Sequence, residues 1–263
     1  MKNKIILERR KNFISFGDLE DQAEIVVDNE SENVIEFNRI RDNEQVIITV
    51  NQKSCLKITL NDDCRLQIVL VVNAPTNLNL ICHNRVNLSL FNLIYCQVSL
   101  QNRFSVDFIG ENSFFSMQTL DYINTQNCHQ NNIIINHLKQ NNESLMKNNL
   151  VAQNRGKIIL DGITKIHQGS KKSYAEQDNR GVILDDCSTI KAIPCLLIDE
   201  FDCNAHHGAA IGKISDEGLF YLMSRGLNKK DALNLIISGF IKPFTDNIKN
   251  EILKNQLQDF FSI

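Results

Sequence analysis

The fold is decided by residues 46–108, which read VIITVNQKSCLKITLNDDCRLQIVLVVNAPTNLNLICHNRVNLSLFNLIYCQVSLQNRFSVDF. Large apolar residues recur there at every tenth position: Ile48, Ile58, Ile68, Leu78, Leu88, Val98 and Phe108. Polar residues alternate with apolar ones between these positions, and polar stretches such as residues 51–54 separate the segments. Because strand side chains alternate between two faces, the pattern predicts short strands with one apolar face, joined by polar turns.

Two architectures produce such a repeat: an antiparallel meander or sandwich, and a β-solenoid whose strands stack coil upon coil at about 4.8 Å. Tight two-residue hairpins favour Asn-Gly or Asp-Gly, and the turns in residues 46–108 contain neither pair. A solenoid needs a constant coil length, because each coil must set its apolar residues above those of the preceding coil. We therefore expect a solenoid, and the spacing predicts a coil of ten residues.

The rest of the β region is less regular. Residues 24–27 and 34–37 suggest two short strands, and the alternation resumes at residues 157–167 and continues to residue 198. Between them, residues 114–149 lose the ten-residue phase and are rich in asparagine and glutamine. This segment is expected to be a loop-rich insertion or a set of irregular coils.

The chain changes character at residues 199–226, where the alternation ends and helical periodicity begins. Ser215 is a suitable N-cap for a first helix that ends at Gly226, and Asn228 with Asp231 resembles a capping box for a second. We expect that second helix to run until Pro243 and a third to start near Thr245. The inward residues of the second and third are expected to be Ala232, Leu235, Ile236, Phe240, Ile248, Ile252, Leu253, Leu257 and Phe260. The helices would close the exposed end of the solenoid, dividing the chain into a β core (residues 1–214) and a helical domain (residues 215–263).

Composition limits the function classes. A net charge of −3 provides no basic surface for nucleic acid, and the longest apolar run, residues 68–72, is too short to cross a bilayer. The first residues are charged and have no apolar signal segment, so we expect a cytoplasmic protein. Its eight cysteines are then expected to be reduced.

Motifs for nucleotide binding, zinc proteolysis and serine hydrolysis are absent from the sequence, so no catalytic or nucleotide-binding residue is predicted. Cys187, Cys195 and Cys203 recur every eight residues and lead into His206 and His207. Thiolate and imidazole groups are suitable ligands for iron or a forming iron-sulfur cluster. The simpler interpretation of each cysteine is a small core residue stacked inside the coil, and it applies to most of them.

Five segments resemble the SufB/SufD family of iron-sulfur cluster assembly scaffolds: GKIILDG at 156–162, AEQDNRGVILDD at 175–186, Pro194, HGAAIG at 207–212 and DEGLFYLMSRG at 216–226. The similarity covers residues 150–244. It implies a right-handed parallel β-helix followed by C-terminal helices, without the N-terminal helical domain common in the family. SufB members carry a cysteine and a glutamate where this chain has Asn179 and Gly208, so the resemblance is to the SufD side.

The resemblance also implies roles for residues. His207 matches a histidine at the SufB–SufD interface, with His206 as a weaker candidate for an interface or metal-binding residue. The helical region matches the part of the family that docks SufC, an ABC-type ATPase. The candidate docking residues are Leu219, Phe220, Tyr221, Ser224, Arg225 and Gly226. No stably bound cofactor is implied for the chain alone; iron or a transient cluster is expected only at the partner interface.

The sequence therefore predicts a non-enzymatic SufD-like scaffold that pairs with a SufB-like chain and binds a SufC-like ATPase. One alternative is a minimal homodimeric scaffold with its own cluster ligands. Another is a β-solenoid enzyme acting on carbohydrate, which would need two or three carboxylates converging on one face. The alternating faces of residues 46–108 carry mainly Thr, Asn, Ser and Gln, which argues against that enzyme.

Overall fold

The computed structural model describes residues 3–7, 13–17, 23–38, 40 and 44–261. Seventeen strands and three helices lie in this part of the chain. They are β1 (Asn3–Leu7), β2 (Phe13–Phe16), β3 (Ala23–Val27), β4 (Glu32–Phe37), β5 (Glu44–Val50), β6 (Ser54–Leu60), β7 (Arg65–Val72), β8 (Thr76–Cys82), β9 (Asn87–Ile94), β10 (Leu100–Phe108), β11 (Phe114–Ile123), β12 (Cys128–His137), β13 (Glu143–Ala152), β14 (Lys157–Ile166), β15 (Ser173–Ile183), β16 (Thr189–Ile198), β17 (Cys203–Lys213), α1 (Asp216–Ser224), α2 (Lys229–Thr245) and α3 (Glu251–Phe261).

The strands form two parallel sheets. The odd-numbered strands make a nine-stranded sheet in the order β1-β3-β5-β7-β9-β11-β13-β15-β17, and the even-numbered strands make the eight-stranded sheet beside it. Consecutive strands therefore lie in opposite sheets, and every pairing among the described strands is parallel. This is the parallel β-solenoid that the alternation predicts.

The coil length differs from the expected ten residues. Asn51 bonds to Asn73 22 residues later, and Asn148 bonds to Asn179 31 residues later, each on the neighbouring coil. One coil thus contains two strands, and it widens along the chain. The ten-residue spacing separates consecutive strands in opposite sheets, so the prediction of a ten-residue coil is wrong. Val98 belongs to the ten-residue series but does not occupy a core position, because it lies outside a strand and is 51% exposed.

Residues 114–149 are not an insertion. They contain β11, β12 and the start of β13, which continue the two sheets with unbroken register on both sides. The ten-residue spacing is lost in this part of the sequence because the coils lengthen there. The predicted strands at residues 24–27 and 34–37 are present as β3 and β4.

The turns that lead from an even-numbered strand to the next odd-numbered strand, which we call corners, share one backbone conformation. A residue with positive φ stands at five successive corners: Asp63, Arg85, Asn112, Asn141 and Lys172. The N–H of each donates to a carbonyl at the same corner of the next coil, at 2.5–3.5 Å; Asp63, for example, donates to Asn84 at 3.0 Å. The corners therefore stack in register with the strands, although their left-handed conformation is unusual for residues other than glycine.

The core lies between the sheets, and a second apolar layer lies outside the nine-stranded sheet. The outward side chains of that sheet form an apolar stripe, consisting of Ile47, Val69, Val71, Phe91, Leu93, Leu120, Tyr122 and Val151. Helices α2 and α3 and the segment between them cover this stripe with Ile241, Phe244, Ile248, Leu253 and Leu257. The helices thus pack along the side of the solenoid, and the expectation that they close its end is wrong.

The capping predictions are confirmed. The Ser215 side chain accepts a hydrogen bond from the N–H of Gly218, and Asn228 does the same for Asp231. Gly226 follows α1 with φ +97°, a conformation that favours glycine. Two expectations for α2 are wrong: Pro243 lies inside the helix, and Leu235 is 53% exposed. The expected start of the third helix near Thr245 is also wrong, because Thr245 ends α2 and α3 begins at Glu251. The side chains of Ile252 and Phe260 lie outside the described residues.

Candidate functional site

The end of the solenoid carries the residues that the sequence singles out. It consists of the last complete coil, β15 and β16, and of β17, which begins the next one, and we call these three strands together the last coil. In its parallel pairing, Gln177 of β15 is in register with His207 of β17, and Glu176 is in register with His206. In-register side chains of adjacent strands point to the same face of a sheet. Since Gln177 is buried inside the coil, His207 lies on the interior face and His206 on the outer face.

This end of the solenoid is open in the described part of the chain. β17 and β16 are the final strands of their sheets, and no described strand pairs with their free edges. Most residues of β17 are exposed, and these include His207 and Ala209 on the interior face. A free parallel edge presents a row of unpaired N–H and C=O groups to any chain that can add to it.

An apolar surface lies beside this edge. We call it the β16 patch; it consists of Ile193, Leu197, Ile198 and Phe201, of which Phe201 is fully exposed. Sequence reasoning did not select these residues, although the end of β16 (TIKAIPCLLI) has apolar residues on both faces. By register with β14, Ile193 and Leu197 lie on the outer face of β16 and Ile198 on its interior face, so exposed apolar side chains occur on both faces of this edge strand. Exposed apolar side chains at an open edge are typical of a protein interface.

His206 lies in a polar setting on the outer face. Its ring centroid is 5.9 Å from that of Tyr174, and the Tyr174 hydroxyl donates to Oε2 of Glu176 at 3.1 Å. This hydrogen bond, followed by burial and the nearby carboxylates, raises the pKa of Tyr174. The two adjacent histidines therefore face different surroundings and cannot act as one pair of ligands within this chain.

The three candidate cysteines are not brought together. Cys187 lies in the turn between β15 and β16, whereas Cys203 begins β17 at the other end of these strands, about 30 Å away at 3.3 Å per residue. Cys195 lies on the outer face of β16, because its register partner Ile163 points outward between buried Gly162 and Thr164. No group of three or more metal-binding side chains occurs among the described residues.

Cys203 is the cysteine nearest to the candidate histidines in sequence. Its Sγ donates to the carbonyl of Glu200 at 3.1 Å, and the thiol is partly buried. Burial, together with the nearby carboxylates of Glu200 and Asp202, raises the pKa of Cys203. The neutral thiol is therefore favoured, and a metal would have to displace its proton.

The candidate docking residues on α1 form an exposed surface. Phe220 is 72% exposed and Tyr221 57%, and no residue of the helix is fully buried. The guanidinium of Arg225 lies over the Tyr221 ring at 5.4 Å from the centroid, within the range of a cation–π contact. Ser224 donates to the carbonyl of Tyr221 at 2.7 Å. Leu219 is half-buried.

An open groove of about 730 Å³ lies on the outer face of the eight-stranded sheet. Its acidic residues are Glu30, in the turn before β4, and Glu32, the first residue of β4, while β8 and β10 contribute Asn77, Gln101 and Arg103. Glycoside hydrolysis needs two carboxyl groups that flank the bond to be cleaved. This groove does not offer that arrangement.

The fold and the exposed last coil define a class: a parallel β-solenoid with an open edge strand and a helical segment whose outer face is free. Residues 19–240 match the family model "SUF system FeS cluster assembly, SufBD core domain". The chain therefore belongs to the SufBD core domain family. No helix among the described residues is long and apolar enough to cross a membrane.

Curated relatives support this assignment. The chain is 37% identical over 121 residues to the iron-sulfur cluster assembly protein SufD of Bacillus subtilis, covering 46% of this chain and 28% of the relative. It is 27% identical over 158 residues to SufD of Escherichia coli, covering 60% and 37%. An iron-sulfur cluster assembly SufBD family protein of Staphylococcus haemolyticus is 34% identical over 115 residues, covering 44% and 25%. The matched segments thus span between a quarter and two fifths of these relatives.

Proposed function

We propose that this chain is a SufD-like scaffold subunit of an iron-sulfur cluster assembly complex. It pairs with a SufB-like chain through the open end of its solenoid and binds a SufC-type ABC ATPase through α1. The observation that carries the proposal is the uncovered last coil, with β17 as a free edge, His207 on its interior face and the β16 patch beside it.

The pairing half of the proposal follows from the energetics of the edge. A partner strand added to β17 would satisfy its free backbone groups and continue the solenoid across the interface. Burial of the β16 patch would add the apolar stabilisation that backbone pairing alone does not provide. His207 would then lie between the two chains, where iron or a transient cluster could be held with ligands from both. The chain alone has no cofactor in this proposal.

The docking half of the proposal rests on α1. Its exposed Phe220 and Tyr221 are large side chains that gain from burial against a partner, while α2 and α3 keep the helix attached to the solenoid. Movement of the ATPase subunits could then be transmitted to the open edge. The chain itself contributes no catalytic residue to this scheme, and nucleotide hydrolysis belongs to the partner.

Co-expression with a SufB-like and a SufC-like subunit, followed by size-exclusion chromatography with light scattering, tests the proposal. We expect a complex of all three for the parent. Leu197→Asp should lose the SufB-like chain, and Phe220→Asp should lose the ATPase while keeping the SufB-like chain. Val98→Asp is a matched control for Leu197→Asp, because Val98 is similarly exposed and precedes β10, which is separated from β16 by β12 and β14. A parent chain that stays alone with both partners present would refute the proposal.

The homodimeric alternative would use the same free edge of β17. The two assemblies are therefore distinguished by the measured mass of the complex. A chain that forms a stable dimer by itself and still does so in the presence of the SufB-like subunit would favour the minimal scaffold. Anaerobic reconstitution with iron and sulfide, comparing the parent complex with His207→Ala, tests the role of the histidine. We expect the variant to assemble normally and to retain less iron and sulfide.

A further inference from the structure

A column of polar side chains replaces the apolar core in the wider coils. In β5 and β7 one interior register position is occupied by Ile48 and Leu70. In the next four strands of the same sheet this position is occupied by Asn92, Thr119, Asn148 and Asn179. All four of these polar side chains are at most 1% exposed. The change coincides with the lengthening of the coil.

Most polar atoms of this column lack a hydrogen-bond partner among the described protein groups. Nδ2 of Asn148 donates to Oδ1 of Asn179 at 2.7 Å. The atoms left without a partner are both amide atoms of Asn92, Oγ1 of Thr119, Oδ1 of Asn148 and Nδ2 of Asn179. Leaving a buried polar group unsatisfied is costly, and native interiors avoid it by bonding such groups to protein or to ordered water.

The column continues to the open end of the solenoid. Gln177 lies two residues before Asn179 on β15, and its Nε2 donates to Oγ1 of Thr164 across the coil at 2.7 Å. Its buried Oε1 also has no hydrogen-bond partner among the described residues. The following strand places His207 beside Gln177, and the exposed Ala209 beside Asn179.

We propose that the interior of the wide coils is a hydrated polar site that extends to the last complete coil, where Gln177 lies beside His207. Its ligand is a file of water molecules, or other small uncharged molecules that donate and accept hydrogen bonds. Asn92, Thr119, Asn148, Asn179 and Gln177 bind them. None of the five carries a charge, and burial of an unpaired ion would be strongly unfavourable, so ions are not its ligands. The site goes beyond the proposed scaffold function and does not depend on it.

The sign of a stability change distinguishes a hydrated column from a dry one. Thr119→Val removes one hydroxyl with little change in volume. If water satisfies the hydroxyl, the variant loses hydrogen bonds and its thermal unfolding midpoint falls; if the interior is dry, removal of an unsatisfied group raises the midpoint. Thr76→Val gives the fall in unfolding midpoint expected when a satisfied buried hydroxyl is removed, because the Thr76 hydroxyl donates to the carbonyl of Ala74 at 2.8 Å.

A high-resolution crystal structure of the whole chain provides a second readout that does not depend on the stability of a variant. We expect at least three ordered waters within hydrogen-bond distance of the five side chains. An unchanged or raised midpoint for Thr119→Val, or amides that bond only to one another with no water between them, would overturn the proposal. Neither result would bear on subunit pairing.

Discussion

Nδ1 of His129 lies 2.6 Å from Oδ1 of Asp121 inside the solenoid, and neither side chain reaches solvent. The other carboxylate oxygen of Asp121 accepts a hydrogen bond from Asn131 at 2.6 Å. Burial opposes the charged imidazolium, but the Asp121 carboxylate and the contacts with Cys96 outweigh it and raise the pKa of His129 to about 10. The two side chains therefore form a buried ion pair, in which Asp121 lies two residues beyond Thr119 in β11 and His129 lies in β12.

This ion pair predicts a loss of stability in mild alkali. Unfolded histidine titrates near pH 6.5, so folded His129 keeps a proton that the unfolded chain loses. Its contribution is fully present below about pH 6.5 and is lost as the pH rises towards about 10, by at most about 1.4 kcal/mol per pH unit. We expect the free energy of unfolding in urea to fall between pH 7 and 9.5.

The variant His129→Gln should show a shallower pH dependence than the parent over the same range. Asp121→Asn leaves the imidazole buried without its counter-charge and should cost about 3–5 kcal/mol at pH 7. Equal slopes for the parent and His129→Gln would contradict the assignment of the pH dependence to this pair.

His137 predicts the opposite dependence in acid. Burial, with a smaller contribution from His167, lowers the pKa of His137 to about 4, against an opposing hydrogen bond involving Asn142. Between about pH 6.5 and 4 the unfolded chain binds a proton that the folded chain does not, so stability falls as the pH falls. We expect a lower urea midpoint at pH 4.5 than at pH 6.5, and a smaller difference for His137→Gln. Equal differences for the parent and His137→Gln would contradict the assignment of the acid dependence to His137.

Sequence reasoning predicted the strand class and the parallel solenoid, because alternation and the absence of tight hairpin signals are local properties. It did not predict the length of the coil. Every strand has an apolar interior face, and the local sequence does not indicate which strand stacks on which. Ile48 pairs with Leu70 of its own sheet, not with Ile58 of the opposite one. The eight-residue spacing of Cys187, Cys195 and Cys203 corresponds to no coil length for the same reason.

The helices were predicted by their caps, but their packing was not. The apolar stripe that they cover begins with Ile47, Val69 and Val71, which belong to uninterrupted apolar runs in the sequence. Such runs mark a strand buried on both faces, and they were the available signal that something packs outside this sheet. The candidate site was chosen through His207, which the family resemblance supplied and whose role stays a prediction. Its place in the open coil is set by tertiary stacking that periodicity alone does not reveal.

Phe244 should be the main anchor of the helices on the solenoid. It is fully buried, and its ring packs edge-to-face on Phe91 with centroids 6.1 Å apart. Phe244→Ala should cost about 3–5 kcal/mol in chemical denaturation, because it removes a buried aromatic side chain and leaves a cavity. Phe220→Ala, at an exposed position of α1, should change stability by less than about 0.5 kcal/mol. A small effect of Phe244→Ala would mean that the helices are held elsewhere.

Gly110 is required by the close approach of two neighbouring coils. A Cβ at this position would lie 2.3 Å from the carbonyl carbon of His83 and 2.4 Å from the backbone N of Asn84. Since these contacts are to backbone, Gly110→Ala must displace the corner of the preceding coil, and we expect a loss of about 1–3 kcal/mol in thermal denaturation. Gly212→Ala is the matched control, because no described heavy atom lies within 4 Å of its added Cβ. Equal unfolding midpoints for the two variants would show that the coils are not packed as closely at this corner as the structure indicates.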